Sequence, residues 1–72
     1  MLYIDTSTYD DYDRVARYLI ENKVPIVKRN KMAMVIGAEV SGAFVAKMIR
    51  DVKFDDIVTY GEELLDPNVF DE

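Results

Sequence analysis

Within sixty residues the apolar positions of this chain change their period from two to between three and four, back to two, and then through the same cycle again. That alternation limits the fold more than any other feature, because each period belongs to one kind of backbone. L-Y-I-D (2–5) alternates as a half-buried strand does. T-S-T (6–8) supplies N-cap residue types. From Tyr9 to Asn22 a helix is expected, with Tyr12, Val15, Ala16, Leu19 and Ile20 on one face. Asn22 and Lys23 end it, and Pro25 forbids its continuation. The period of two returns in P-I-V-K-R (25–29) and K-M-A-M-V-I (31–36). Asn30 between them tolerates the positive φ of a tight hairpin turn.

Gly37 is expected to stop the second of these strands. A second helix follows from about Glu39 to Asp51, where Val40, Phe44 and Met48 recur four apart, with Ala43 or Val45 and Ile49 beside them. Gly42 near its start weakens it. F-D-D-I-V-T-Y (54–60) supplies a fourth strand, and Gly61 breaks it. The remainder has room for one helical turn before Pro67, and it carries Leu64, Leu65, Val69 and Phe70.

The order βαββαβ, with right-handed crossovers around a central hairpin, predicts an α+β two-layer sandwich: a four-stranded antiparallel sheet with two helices on one face. This resembles the ferredoxin-like arrangement over roughly residues 2–60, and a topology of that kind implies no function. The competing arrangement is a βαββα core with a loose, partly helical C-terminus. Either way 1–72 is a single small domain, with 61–72 as an acidic C-terminal extension. The face towards the helices is expected to hold Leu2, Ile4, Ile26, Met32, Met34, Ile36 and Ile57. The open face then holds Tyr3, Val27, Ala33, Val35, Val58 and Tyr60. So apolar a face calls for cover, either by the Leu64–Phe70 segment or by a second copy.

The chain has no cysteine and no histidine. Thiolate chemistry, the commonest general base and the commonest transition-metal ligand are therefore missing. No apolar run approaches the ~20 residues that span a bilayer, and the N-terminus lacks the basic and apolar segments of a secretory signal. A soluble, cytoplasmic protein is expected.

The net charge of −5 is unevenly spread. Residues 1–13 hold four acids and no base, 14–53 hold all nine bases and three acids, and 54–72 hold seven acids and no base. Asp10, Asp11 and Asp13 invite a metal reading, but three aspartates on one helix diverge, and no calcium-loop glycine follows. A helix start explains them better. Thr8 as N-cap puts Asp11 at the third helical position, the helix dipole favours acids in its first turn, and Asp10–Arg14 and Asp13–Arg17 are spaced as ion pairs.

G-A-E-V-S-G (37–42) has phosphate-loop glycines, but Ala43-Phe44 follows where Lys-Ser/Thr belongs. Ser7 and Ser41 have no histidine to activate them and sit where helix caps are expected. Lys23, Lys28, Arg29 and Lys31 cluster about the hairpin. An RNA platform of this topology, however, needs aromatics on its central strands, and K-M-A-M-V-I offers Ala33 and Val35.

No cofactor, metal or catalytic residue is expected, and the chain reads as a non-enzyme. The C-terminal acids alternate with Leu, Val and Phe, as suits a segment that packs and presents charge together. The leading expectation is a protein-binding module, an inhibitor or regulator that occupies the basic, nucleic-acid-binding surface of a partner protein, in the manner of a DNA mimic. Asp10, Asp11, Asp13, Asp51, Asp55, Asp56, Glu62, Glu63, Asp66, Asp71 and Glu72 are its candidate contact residues. In size and charge, though not by any motif, the chain resembles the small acidic inhibitors that phages direct at host proteins. The alternative is a homodimeric regulatory or structural subunit joined through the open sheet face. Direct nucleic-acid binding by the hairpin bases is the weaker third reading, and no membrane partner is expected.

Overall fold

A computed structural model describes residues 1–54 and 56–61. The elements are β1 (Leu2–Thr6), α1 (Tyr9–Glu21), β2 (Ile26–Asn30), β3 (Val35–Ala38), α2 (Gly42–Asp51) and β4 (Ile57–Tyr60). The strands form one antiparallel sheet in the order β2-β3-β1-β4. β1 and β2 therefore run parallel with β3 between them, and β3 and β4 run parallel with β1 between them. Each helix carries the chain over the strand that lies between.

Local chemistry explains the ends of both helices. Thr8 is the N-cap of α1, and its Oγ1 accepts from the Asp11 N–H at 3.1 Å. At the other end Lys23 takes φ 59°, the Val24 N–H reaches the Leu19 carbonyl at 2.9 Å, and the Lys23 N–H reaches that of Ile20 at 3.1 Å. Those two bonds make a Schellman stop, with lysine in the left-handed position that glycine usually fills. α2 starts later than the expected Glu39. Ser41 is its cap and accepts from the Phe44 N–H at 3.1 Å, so Gly42 is the first helical residue and not an interior one.

The hairpin differs from expectation in its register. The turn is not a point at Asn30 but the loop 31–34, closed by the Met34 N–H on the Lys31 carbonyl and by the Ala33 N–H on Asn30 Oδ1, both at 3.1 Å. Met34 takes φ 59° at its end. β3 consequently begins four residues later and ends two residues later than the alternating methionines suggest. Met32, expected inside, is 85% exposed. Gly37 does not stop the strand but sits within it, paired with Tyr3. A Cβ there would lie 2.8 Å from Tyr3 Cε1, so the ring occupies the space that the missing side chain leaves.

The core gathers Ile4, Ile36 and Ala38 of the sheet with Tyr12, Val15 and Leu19 of α1 and Val45 and Met48 of α2. Leu2, Ile26 and Ile57 pack against it, as does Met34 from the loop. Ile20, expected on the buried face of α1, is 63% exposed. In α2 the buried stripe is Val45 and Met48, while Phe44 meets Tyr18 edge-on with ring centroids 5.7 Å apart. The opposite, outer face of the sheet carries Tyr3 and Asp5 of β1, Val35 and Gly37 of β3, and Val58 and Tyr60 of β4. A bulge at Val27 shifts the pairing of β2, so that Lys28 and Asn30 join the outer face and Arg29 turns to the core side near α1.

Candidate functional site

The start of α1, the hairpin loop and the approach to β4 converge at one end of the molecule. Their polar contacts are mostly internal fastenings. Asp11 is fully buried, and its Oδ2 accepts from the Asp56 N–H at 3.2 Å. Its Oδ1 lies 3.7 Å from Arg14 Nη1, and that same nitrogen donates to the Lys53 carbonyl at 3.0 Å. Ser7 Oγ donates to the Asp56 carbonyl at 3.2 Å. The Thr6 N–H and its hydroxyl both donate to the Met34 carbonyl at 2.9 Å. This cluster clasps the segment before β4 to the first turn of α1.

The expected contact carboxylates therefore separate into distinct groups. Asp11 is structural and cannot touch a partner. Asp10, Asp13, Asp51 and Asp56 are exposed. Asp13 lies 3.8 Å from Lys31 Nζ, not beside Arg17, and Arg14 serves Asp11, not Asp10. Asp51 accepts from the Tyr18 hydroxyl at 3.1 Å. Asp55, Glu62, Glu63, Asp66, Asp71 and Glu72 lie outside the described residues.

At the α1 end the acids are thus interleaved with Arg14, Lys31 and Lys53. Among the described residues eight carboxylates stand against nine lysines and arginines, and the chain's excess of negative charge resides on Asp55 and 62–72. No protein-family model matches this sequence, and neither the curated proteins nor the solved structures yield a match.

Among the described residues two groups have displaced proton affinities. Burial raises the Asp5 carboxyl above its ordinary value. The Tyr18 hydroxyl is also raised, by burial first and then by its bond to Asp51 and that carboxylate's charge. No group of three or more Asp or Glu side chains that could hold a metal ion is assembled among the described residues. No described helix is long and apolar enough to cross a membrane.

The hairpin bases divide between the two faces. Arg29 and Lys31 line one groove with Tyr12, Asp13 and Ala16, where Lys31 pairs with Asp13, and Lys28 is on the outer face. Tyr3 and Tyr60 share the outer face as their alternation predicts, and the structure adds that they stack there, with centroids 5.8 Å apart and planes 24° from parallel. The signal was present in the alternation of β1, but the seat at Gly37 depends on a register that no local pattern encodes.

Proposed function

We propose that this chain is a non-enzymatic protein-binding module whose acidic C-terminal part engages a basic surface, such as the nucleic-acid-binding face of a partner protein. The observation that carries this reading is the division of charge: a body with eight carboxylates and nine bases, and six carboxylates with no base on Asp55 and the last eleven residues, which make the net charge −5. Charge concentrated on one segment gives steering and salt-sensitive association without burdening the fold with self-repulsion. Asp10, Asp13, Asp51 and Asp56 are secondary contacts in this reading, because bases alternate with them. A continuous duplex-like band of carboxylates finds less support than a localised acidic arm. The strand order, with both helices feeding one cluster on one sheet face, supports reading the fold as a ferredoxin-like two-layer sandwich.

Direct RNA binding is disfavoured by two features of the platform it needs. Tyr3 is buried, and the outer-face residues of β3 are Val35 and Gly37, so no exposed ring pair is ready to stack bases. The homodimer reading rests on Val58, 57% exposed on the edge strand of that face; sedimentation of the chain as a single monomeric species across concentrations removes it.

The acidic reading is tested by capturing partners from a cell lysate on the immobilised chain and washing with rising salt. The retained proteins are expected to be basic and to elute as the Debye length falls below ~10 Å near 0.1 M salt. Joint replacement of Glu62 and Glu63 by Gln and of Asp66 by Asn is expected to abolish retention. Retention of neutral or acidic proteins, indifferent to salt, contradicts the reading.

A further inference from the structure

Between α1 and the hairpin lies a groove of about 390 Å³, lined by Tyr12, Asp13, Ala16, Arg29 and Lys31. Ala16 carries only a methyl, one turn on from Tyr12, and leaves the space open. Tyr12 is 4% exposed, and its ring belongs to the core. A buried tyrosine hydroxyl usually finds a hydrogen-bond partner. This one has none among the described residues, yet it is not sealed from solvent, and the groove is where the residue meets it. Arg29 is exposed, and its guanidinium has no ion-pair partner among the described residues. Lys31 Nζ lies 3.8 Å from Asp13 Oδ1, with both side chains more than half exposed. That separation is longer than a charge-assisted hydrogen bond, so the ammonium is steered to the groove without being spent there. Lys31 also borders a second hollow, of about 400 Å³, against the exposed Tyr9 and Met32.

We propose that these two hollows form one binding site for a small aryl phosphate, with the phosphoryl group among Arg29, Lys31 and the Tyr12 hydroxyl and the ring against Tyr9 and Met32. The three donors differ in kind and suit the three oxygens of a phosphate monoester. The guanidinium fork binds oxygens in pairs, the ammonium acts as a point charge, and the phenol donates a single hydrogen bond. A carboxylate has two oxygens and would leave one donor idle. Two cations line the groove against one carboxylate, Asp13, and that carboxylate holds Lys31 only loosely. The wider field does not repel an anion, since nine bases stand against eight carboxylates among the described residues. The space exceeds what a bare phosphate fills and matches a small-molecule site. Beyond Lys31, an aromatic ring and a thioether favour an aromatic body on the ester. Protection of the β2 edge against strand pairing would account for a charge at Arg29, but not for an unpartnered phenol at the same groove.

Titration of the full, isotopically labelled chain with phenyl phosphate, followed by heteronuclear NMR, tests this. Saturable shifts are expected at Tyr12, Arg29 and Lys31, with the Tyr9 ring and the Met32 methyl moving in step. Inorganic phosphate is expected to perturb the first three alone and to bind more weakly. Arg29→Gln and Lys31→Gln are each expected to weaken phenyl phosphate by about tenfold, as loss of a hydrogen bond to a charged group implies. Tyr12→Phe keeps the ring in the core and is expected to cost about fivefold in affinity through the hydroxyl alone. The dispersion of each variant's spectrum shows that it is folded. Absence of saturable shifts at Tyr12, Arg29 and Lys31 overturns the proposal, as does unchanged affinity in folded Arg29→Gln. Equal affinity for inorganic phosphate removes Tyr9 and Met32 from the site and overturns the aryl ester as its ligand. The titration involves no protein partner, so this site and the acidic reading fail separately.

Discussion

Asp11 stands between Asp10 and Asp13 in a run that local sequence cannot rank, yet its burial and its bond to the Asp56 N–H make it a fastening between α1 and β4. Asp11→Ala removes a charged acceptor from buried surroundings and is expected to cost about 2–3 kcal/mol in chemical denaturation, while Asp10→Ala changes little. Gly37 is a second such position. Gly37→Ala sets a methyl 2.8 Å from the Tyr3 ring and is expected to destabilise by about 1–3 kcal/mol, with a change in tyrosine near-ultraviolet dichroism as the ring shifts. Asp5 works in the opposite sense. Its folded-state affinity for a proton is raised, so the native state binds more protons than the unfolded state just above the ordinary carboxylate value, and stability falls as pH rises through that window. Asp5→Asn is expected to remove this slope and to raise the melting temperature at neutral pH, as thermal unfolding at several pH values will show.

At the scale of the elements, the helices were legible because their caps are local. T-S-T before an apolar stripe and Ser41 before Phe44 act within one turn, and the expected Thr8 cap is where the hydrogen bond is found. The end of α1 was legible as a stop but not as a strained one, since lysine seldom adopts a left-handed backbone. Lys23→Gly is therefore expected to stabilise the chain by up to about 1 kcal/mol in urea unfolding, provided that the Schellman bonds persist. The second hairpin strand starts four residues later than its alternation suggests. K-M-A-M-V-I alternates as well in the wrong register as in the right one, and the choice was made by Asn30 capping the loop and by Tyr3 claiming the space at Gly37.

At the scale of the whole molecule, the described body is close to electrical balance; its Lys31–Asp13 pair is exposed and weak, whereas Arg14 meets a buried carboxylate at Asp11. Replacing Glu62, Glu63 and Asp66 by their amides is accordingly expected to change the unfolding free energy by less than about 0.5 kcal/mol while removing salt-dependent partner capture. A larger loss of stability would mean that these carboxylates belong to the fold. By itself the sequence determined the order of the elements, the absence of thiol and imidazole chemistry, the start of α1 and the uneven distribution of charge, because each depends on residue type or on spacing within a turn or a strand. Only the tertiary structure decided which aspartate is buried, which base faces which acid, where the hairpin turns and which glycine seats a tyrosine. Those are outcomes of strand register and of contacts between residues far apart in the chain, and a period-two pattern states which residues share a face without stating what they face.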